Sequence, residues 1–179
     1  TETLVEFISH FFAEGKQLPD ILSELNGMFA FALLDTQEEI IFIARDRFGI
    51  KPLYCFQQQG SFFFASEIKA LLALPKIKEL AQPNISECVN YLERGPEEWR
   101  SETLFTHIER FPSAHSVCCP VQDLTNLPCE PLPYWSFSTL PLNEKFHPQK
   151  AQQQTERYLE LMQSSVALRM KADVPVGTA

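Results

Sequence analysis

Apolar residues recur at Leu4, Val5, Ile8, Phe11 and Phe12, the spacing of a helix with one buried face. They predict a helix across Thr1–Glu14, closed by Gly15 in the left-handed conformation that follows many helix ends. Pro19 suits the first turn of a second short helix, Asp20–Leu25. Asn26-Gly27 marks a turn, and there the pattern changes. Every position of Met28–Leu34 is apolar, which predicts a strand covered on both faces. Asp35–Glu39 is a polar turn and Ile40–Ala44 a returning strand. Leu53–Phe56 and Ser61–Ala65 predict two further strands joined by a turn at Gln57–Gly60. Ser66 reads as the N-cap of a helix from Glu67 to about Leu74, ended by Pro75. Weaker patterns predict a short helix at Ile85–Tyr91 and edge strands at Thr103–Phe105 and His115–Cys119. The prolines and polar residues of Pro120–Pro141 read as an extended linker. A helical stripe returns from Pro148 through Tyr158, Leu161, Met162, Val166 and Leu168 or Arg169. Lys171–Ala179 leaves that helix as extended chain.

Antiparallel hairpins, not β-α-β crossovers, dominate the first 75 residues, so the fold class is α+β. A twice-covered sheet flanked by helices matches a layered α/β/β/α sandwich. Between the second and third strands stands Ala44-Arg45-Asp46-Arg47-Phe48-Gly49-Ile50-Lys51-Pro52-Leu53-Tyr54. Gly49 can take a positive φ, and Pro52 fixes its own φ while pushing Lys51 towards extension. Asp46 is placed to accept turn amides and to meet a neighbouring guanidinium. The segment reads as a rigid corner, with a role in lining a site as the alternative.

The chain has 179 residues, 45% of them hydrophobic, with 15 Phe, enough for a real core. Its net charge of −8 argues against a nucleic-acid or anionic-membrane partner. No run of about 18 apolar residues could span a bilayer. Thr-Glu-Thr at the start shows no secretory signal. Five cysteines, Cys55, Cys88, Cys118, Cys119 and Cys129, lack Cys-x-x-Cys spacing, which predicts reduced thiols in a cytoplasm and no zinc. Candidate chemistry is thin. Thr1 leads straight into a helix, unlike a buried terminal nucleophile. Ser66-Glu67 lacks a Gly-x-Ser-x-Gly setting. His10 reads as a packed or surface residue, and His107, His115 and His147 have no partner in sequence. Cys118-Cys119 beside His115 lacks a second ligand pair, Asp173 reads as a helix-end residue, and Glu38-Glu39 as a solvated turn. No catalytic, cofactor-binding or metal-ligating residue is assigned.

Three stretches carry a resemblance: Leu25–Ala32, Arg45–Tyr54 and Phe64–Leu71, in one order and at compatible spacing. Together they resemble the later half of a class II glutamine amidotransferase domain, as in the glutamine-hydrolysing asparagine synthetases. The resemblance implies the layered fold of the N-terminal-nucleophile hydrolases. It divides the chain into a partial glutaminase domain at 1–119, a Pro-rich linker at 120–147, and the first helix and entry of an ATP-dependent synthetase domain at 148–179. Tyr134-Trp135 is similar to the family's Tyr-Trp before that domain, and Arg169 with Asp173–Gly177 to its Arg-x-x-x-Asp-Val-Pro-Val-Gly. Ala114 stands where a Pro-Pro-Gly-His-like turn would have glycine. The implied parent hydrolyses glutamine and passes ammonia to an aspartyl-adenylate, making asparagine from aspartate with ATP and Mg²⁺, neither bound by this chain. The family's nucleophile is an N-terminal cysteine. Thr1-Glu2 matches the tail of a substrate-binding motif, so the chain is expected to be an inactive fragment with compromised folding. Three alternatives stay open: another carboxylate acceptor, a non-catalytic interaction module, and a homodimer as partner.

Overall fold

In the computed structural model, residues 2–58, 61–97, 99–121, 130–137, 147–171 and 173–177 are described. The chain divides into two compact units, Thr1–Phe137 and Ser138–Ala179.

The first unit opens with helices α1 (Glu2–Ala13) and α2 (Leu18–Glu24), separated by Gly15 at φ +79°. Pro19 sits in the first turn of α2. Strand β1 (Ala30–Asp35) starts two residues later than the apolar run suggests. Phe29 spends both backbone groups on Asp46, its N–H donating to the carboxylate at 3.2 Å and its carbonyl accepting from Asp46 N–H at 2.8 Å. No pairing partner is left for it. Nor is β1 covered on both faces: it is an outer strand of its sheet, and Ala32 and Leu34 are exposed. Two-sided burial belongs instead to its neighbour β2 (Ile40–Arg45), where Phe42, Ile43, Ala44 and Arg45 are all buried.

Strands β3 (Tyr54–Gln58) and β4 (Ser61–Ala65) pair antiparallel; residues 59 and 60 of the predicted turn lie outside the described residues. Ser66 is not an N-cap. Glu67 holds that position without a side-chain bond, and the helix α3 is only Ile68–Leu72. Pro75 does not end a helix but begins the next, α4 (Pro75–Leu80), because its missing N–H costs nothing in a first turn. Helix α5 (Ile85–Arg94) runs three residues past the predicted end. Asn84 caps its start by accepting from Glu87 N–H at 3.4 Å, and Gly95 at φ +81° closes it. Thr103–Phe105 is not a strand: the buried Thr103 hydroxyl donates to Ile108 O at 2.6 Å and accepts from Phe105 N–H at 3.2 Å, folding the segment back. The true strand is β5 (Ile108–Arg110), paired with β3. Strand β6 (His115–Pro120) is not at an edge either. It lies between β2 and β7 (Leu132–Pro133).

Among the described residues two antiparallel sheets result, β1-β2-β6-β7 and β4-β3-β5. One apolar cluster gathers α2 residues Leu18 and Leu22 with Phe42, Ala44, Phe31 and Leu33 of the first sheet. A second joins Ile43, Val117 and Cys119 to Leu53, Phe111 and Phe62. A third joins Phe56, Phe63 and Ile108 to Leu71 and Ile77 of α3 and α4. The fold is α+β with antiparallel sheets.

The second unit holds α6 (Pro148–Arg169), with Pro148 in its first turn as the sequence suggests. Tyr158, Leu161, Met162, Val166 and Leu168 are all exposed. Residues 173–177 carry no helix or strand.

Candidate functional site

The Arg-Asp-Arg corner is densely hydrogen-bonded. Asp46 is 1% exposed. Its carboxylate accepts four backbone N–H groups: Phe29 at 3.2 Å, Phe48 at 3.1 Å, Ile50 at 3.0 Å and Lys51 at 2.9 Å. Its carbonyl accepts from Gly49 N–H at 3.1 Å and Ala114 N–H at 2.9 Å. Arg45, also buried, donates to three carbonyl oxygens: Lys51 at 2.8 Å, Phe111 at 2.5 Å and Gly49 at 2.7 Å. One acidic and one basic side chain thus saturate opposite ends of the same loop. Charged partners make these bonds stronger than neutral ones, and burial makes their loss costly. Gly49 sits at φ +65°, and a Cβ there would come within 3.0 Å of the Arg45 guanidinium. The sequence anticipates the amides on Asp46 but not the carbonyls on Arg45, because Phe111 lies 66 residues away.

The facing turn carries its own strain. Ala114 takes φ +59°, so the left-handed turn persists without glycine. Tyr134 ties both together: its N–H donates to Ala114 O at 2.9 Å and its hydroxyl to Arg45 O at 2.8 Å. Burial first, then the Asp46 charge, pushes the Tyr134 phenol up to about 12. Beyond it Trp135 meets Phe137 and Phe48, ring centroids 4.8 and 5.6 Å away, with the Arg47 guanidinium 5.8 Å from the indole. The corner is a rigid structural junction with an aromatic surface beside it.

The other candidates sit on separate elements. Thr1 and Cys129 lie outside the described residues. Ser66 occupies a bend before α3, and Glu67 pairs with Lys69 at 2.6 Å on the surface. His10 faces Glu14 at 3.4 Å, exposed on α1. His107 is in a turn at φ +65°, and His115 Nδ1 donates to Ser113 O at 2.7 Å. His147 precedes α6, and Asp173 is exposed. Glu38 and Glu39 lie in the turn held by the Asp35 carboxylate. Burial, then the charge of Glu109, pushes the Cys55 thiol up to about 12, and burial also raises Cys118. Raised thiols are poor nucleophiles at neutral pH. Among the described residues no three His, Cys, Asp or Glu side chains converge as a metal site. No helix among them is long and apolar enough to cross a membrane.

Residues 1–135 match the model of a glutamine amidotransferase domain. The chain is 32% identical over 174 residues to asparagine synthetase [glutamine-hydrolyzing] 3 of Bacillus subtilis, covering 97% of this chain and 26% of that protein. It is 29% identical over 160 residues to a putative asparagine synthetase [glutamine-hydrolyzing] 2 of Methanocaldococcus jannaschii, covering 88% and 29%. It is 32% identical over 165 residues to the amidase chyE of Penicillium rubens, covering 87% and 21%. The chain spans 21–29% of the length of these three curated relatives.

Proposed function

This chain belongs to the glutamine amidotransferase domain family, and on that premise we propose that it serves a glutamine-dependent ligase that transfers amide nitrogen to a carboxylate, aspartate in the first instance. The observation carrying this reading is the family match over residues 1–135, joined to relatives whose names specify glutamine-hydrolysing asparagine synthesis. Glutamine and aspartate are the substrates of the proposal, and channelled ammonia is its intermediate. The three apolar clusters support reading the fold as the α/β/β/α sandwich of the N-terminal-nucleophile hydrolases. In that reading the Arg45–Asp46 corner and the Tyr134 tie are scaffolding that fixes the sheets and the exit of the chain. ATP and Mg²⁺ belong to the proposed parent reaction, and among the described residues no three His, Cys, Asp or Glu side chains gather as a metal site. No step of the reaction is therefore assigned to these residues through them.

The second reading is another carboxylate acceptor, since relatives from Penicillium rubens and Gibberella zeae are named amidases and not asparagine synthetases. One experiment separates the two. An asparagine auxotroph carrying the native gene should grow on minimal medium, and amide-¹⁵N from glutamine should appear in asparagine. Label in a different amide, with the auxotrophy persisting, would move the acceptor. Label in no amide at all would overturn the proposal.

A further inference from the structure

A cleft of about 360 Å³ opens beside the corner, within the range of small-molecule sites. Its lining brings together Arg45, Arg100, Arg110 and His115, with Phe48, Trp99 and Phe111 among its aromatic side chains. Among the described residues that lining contains no carboxylate, although the chain carries a net charge of −8. Three carboxylates outside that lining pair with Arg100. Glu87 is 2.9 Å from it, and Glu97 and Glu102 are 3.7 and 3.8 Å away. Those three line the neighbouring hollow beside α5, together with Glu87's helix neighbours and the other side of Arg110. Arg110 itself bonds to neutral acceptors, the carbonyl oxygens of Arg100 at 3.3 Å and of Glu102, with the Glu102 carboxylate inside its field. Among the described residues, the formally charged side chains lining the cleft are thus the arginines.

Trp99 supplies the second observation. It is 79% exposed, which is uncommon for the largest apolar side chain, and no ring contact to it exists among the described residues. An open indole beside guanidinium groups offers a flat ring a stacking surface and an anion a fixed set of donors. We propose that this cleft binds an aromatic oxyanion, a flat ring carrying a phosphate or a carboxylate. The guanidinium of Arg110 holds the anionic group and the indole of Trp99 stacks on the ring. The proposal rests on the cleft alone and is independent of the amide-transfer reading.

The test uses the purified protein with Trp135→Phe, so that Trp99 is the only tryptophan and its fluorescence reports the cleft. AMP, benzoate and inorganic phosphate are titrated separately. Saturable binding of AMP or benzoate at least about tenfold tighter than phosphate is expected. Which of the two binds tells a nucleotide from an aromatic carboxylate. Arg110→Gln should weaken it about tenfold or more, while Lys76→Gln on α4, outside the cleft's lining, should leave it unchanged. Because Arg110 also braces its loop, Trp99→Ala provides a variant that cannot disturb the core. Equilibrium dialysis should then show AMP or benzoate reduced to the affinity of phosphate. Absence of saturation, equal affinity for phosphate in the parent protein, or indifference to both substitutions overturns the proposal.

Discussion

Removing the buried Asp46 carboxylate would take the acceptor from four partly buried backbone N–H groups. Each buried unsatisfied donor costs about 1–3 kcal/mol, so Asp46→Ala should lower unfolding stability by more than about 3 kcal/mol in a urea titration. A loss under about 1 kcal/mol would show that the loop finds other acceptors. Ala114 illustrates a different cost. An alanine at φ +59° is tolerated, but a β-branched residue there is a true outlier, so Ala114→Val should destabilise by about 2–3 kcal/mol in the same assay. The role of Asp46 was legible because an Asp ahead of a Gly and a Pro in a tight turn has few uses other than accepting amides. The role of Arg45 was not, since its acceptors come from residues 49, 51 and 111, and only folding brings the last within reach.

At the scale of elements, a run of apolar residues does not say which strand will be central. Met28–Leu34 looks more buried than Ile40–Arg45, yet β2 takes the interior place because β6 pairs on its other side. That partner arrives more than 70 residues later, beyond any local pattern. The outer position leaves Leu34 57% exposed on an edge strand, an arrangement that invites pairing with other chains. Leu34→Lys should reduce light scattering at raised protein concentration while moving stability by no more than about 0.5 kcal/mol. Unchanged scattering would locate self-association elsewhere. The Pro75 reading failed for a related reason. Proline marks a helix boundary but does not tell an end from a beginning, and Leu74 settled it by taking the extended N-cap conformation.

For the molecule as a whole, alkaline pH is the informative variable. Cys55 keeps its proton in the folded state up to about 12, against an ordinary 9.0, and Tyr134 up to about 12 against 10.0. Between those values the unfolded chain releases protons that the folded chain retains, so raising the pH favours unfolding. This contribution is complete below about pH 9 and is lost as the pH climbs through about 12. The melting midpoint should therefore hold steady to about pH 9 and fall above it, and Cys55→Ser should flatten part of that fall. A midpoint that rises across this window would contradict the burial of both groups. The α+β class, the helices at either end and the family were readable from local pattern and motif, whereas the strand order and the cleft depended on distant contacts. The Tyr134–Arg45 bond, which spans 89 residues, carries one more consequence. During synthesis Arg45 leaves the ribosome long before its tyrosine exists. At ordinary translation speeds of 5–20 residues per second the junction stands unlatched for about 4–18 s, so the nascent chain must remain soluble through that interval or be sheltered by a chaperone.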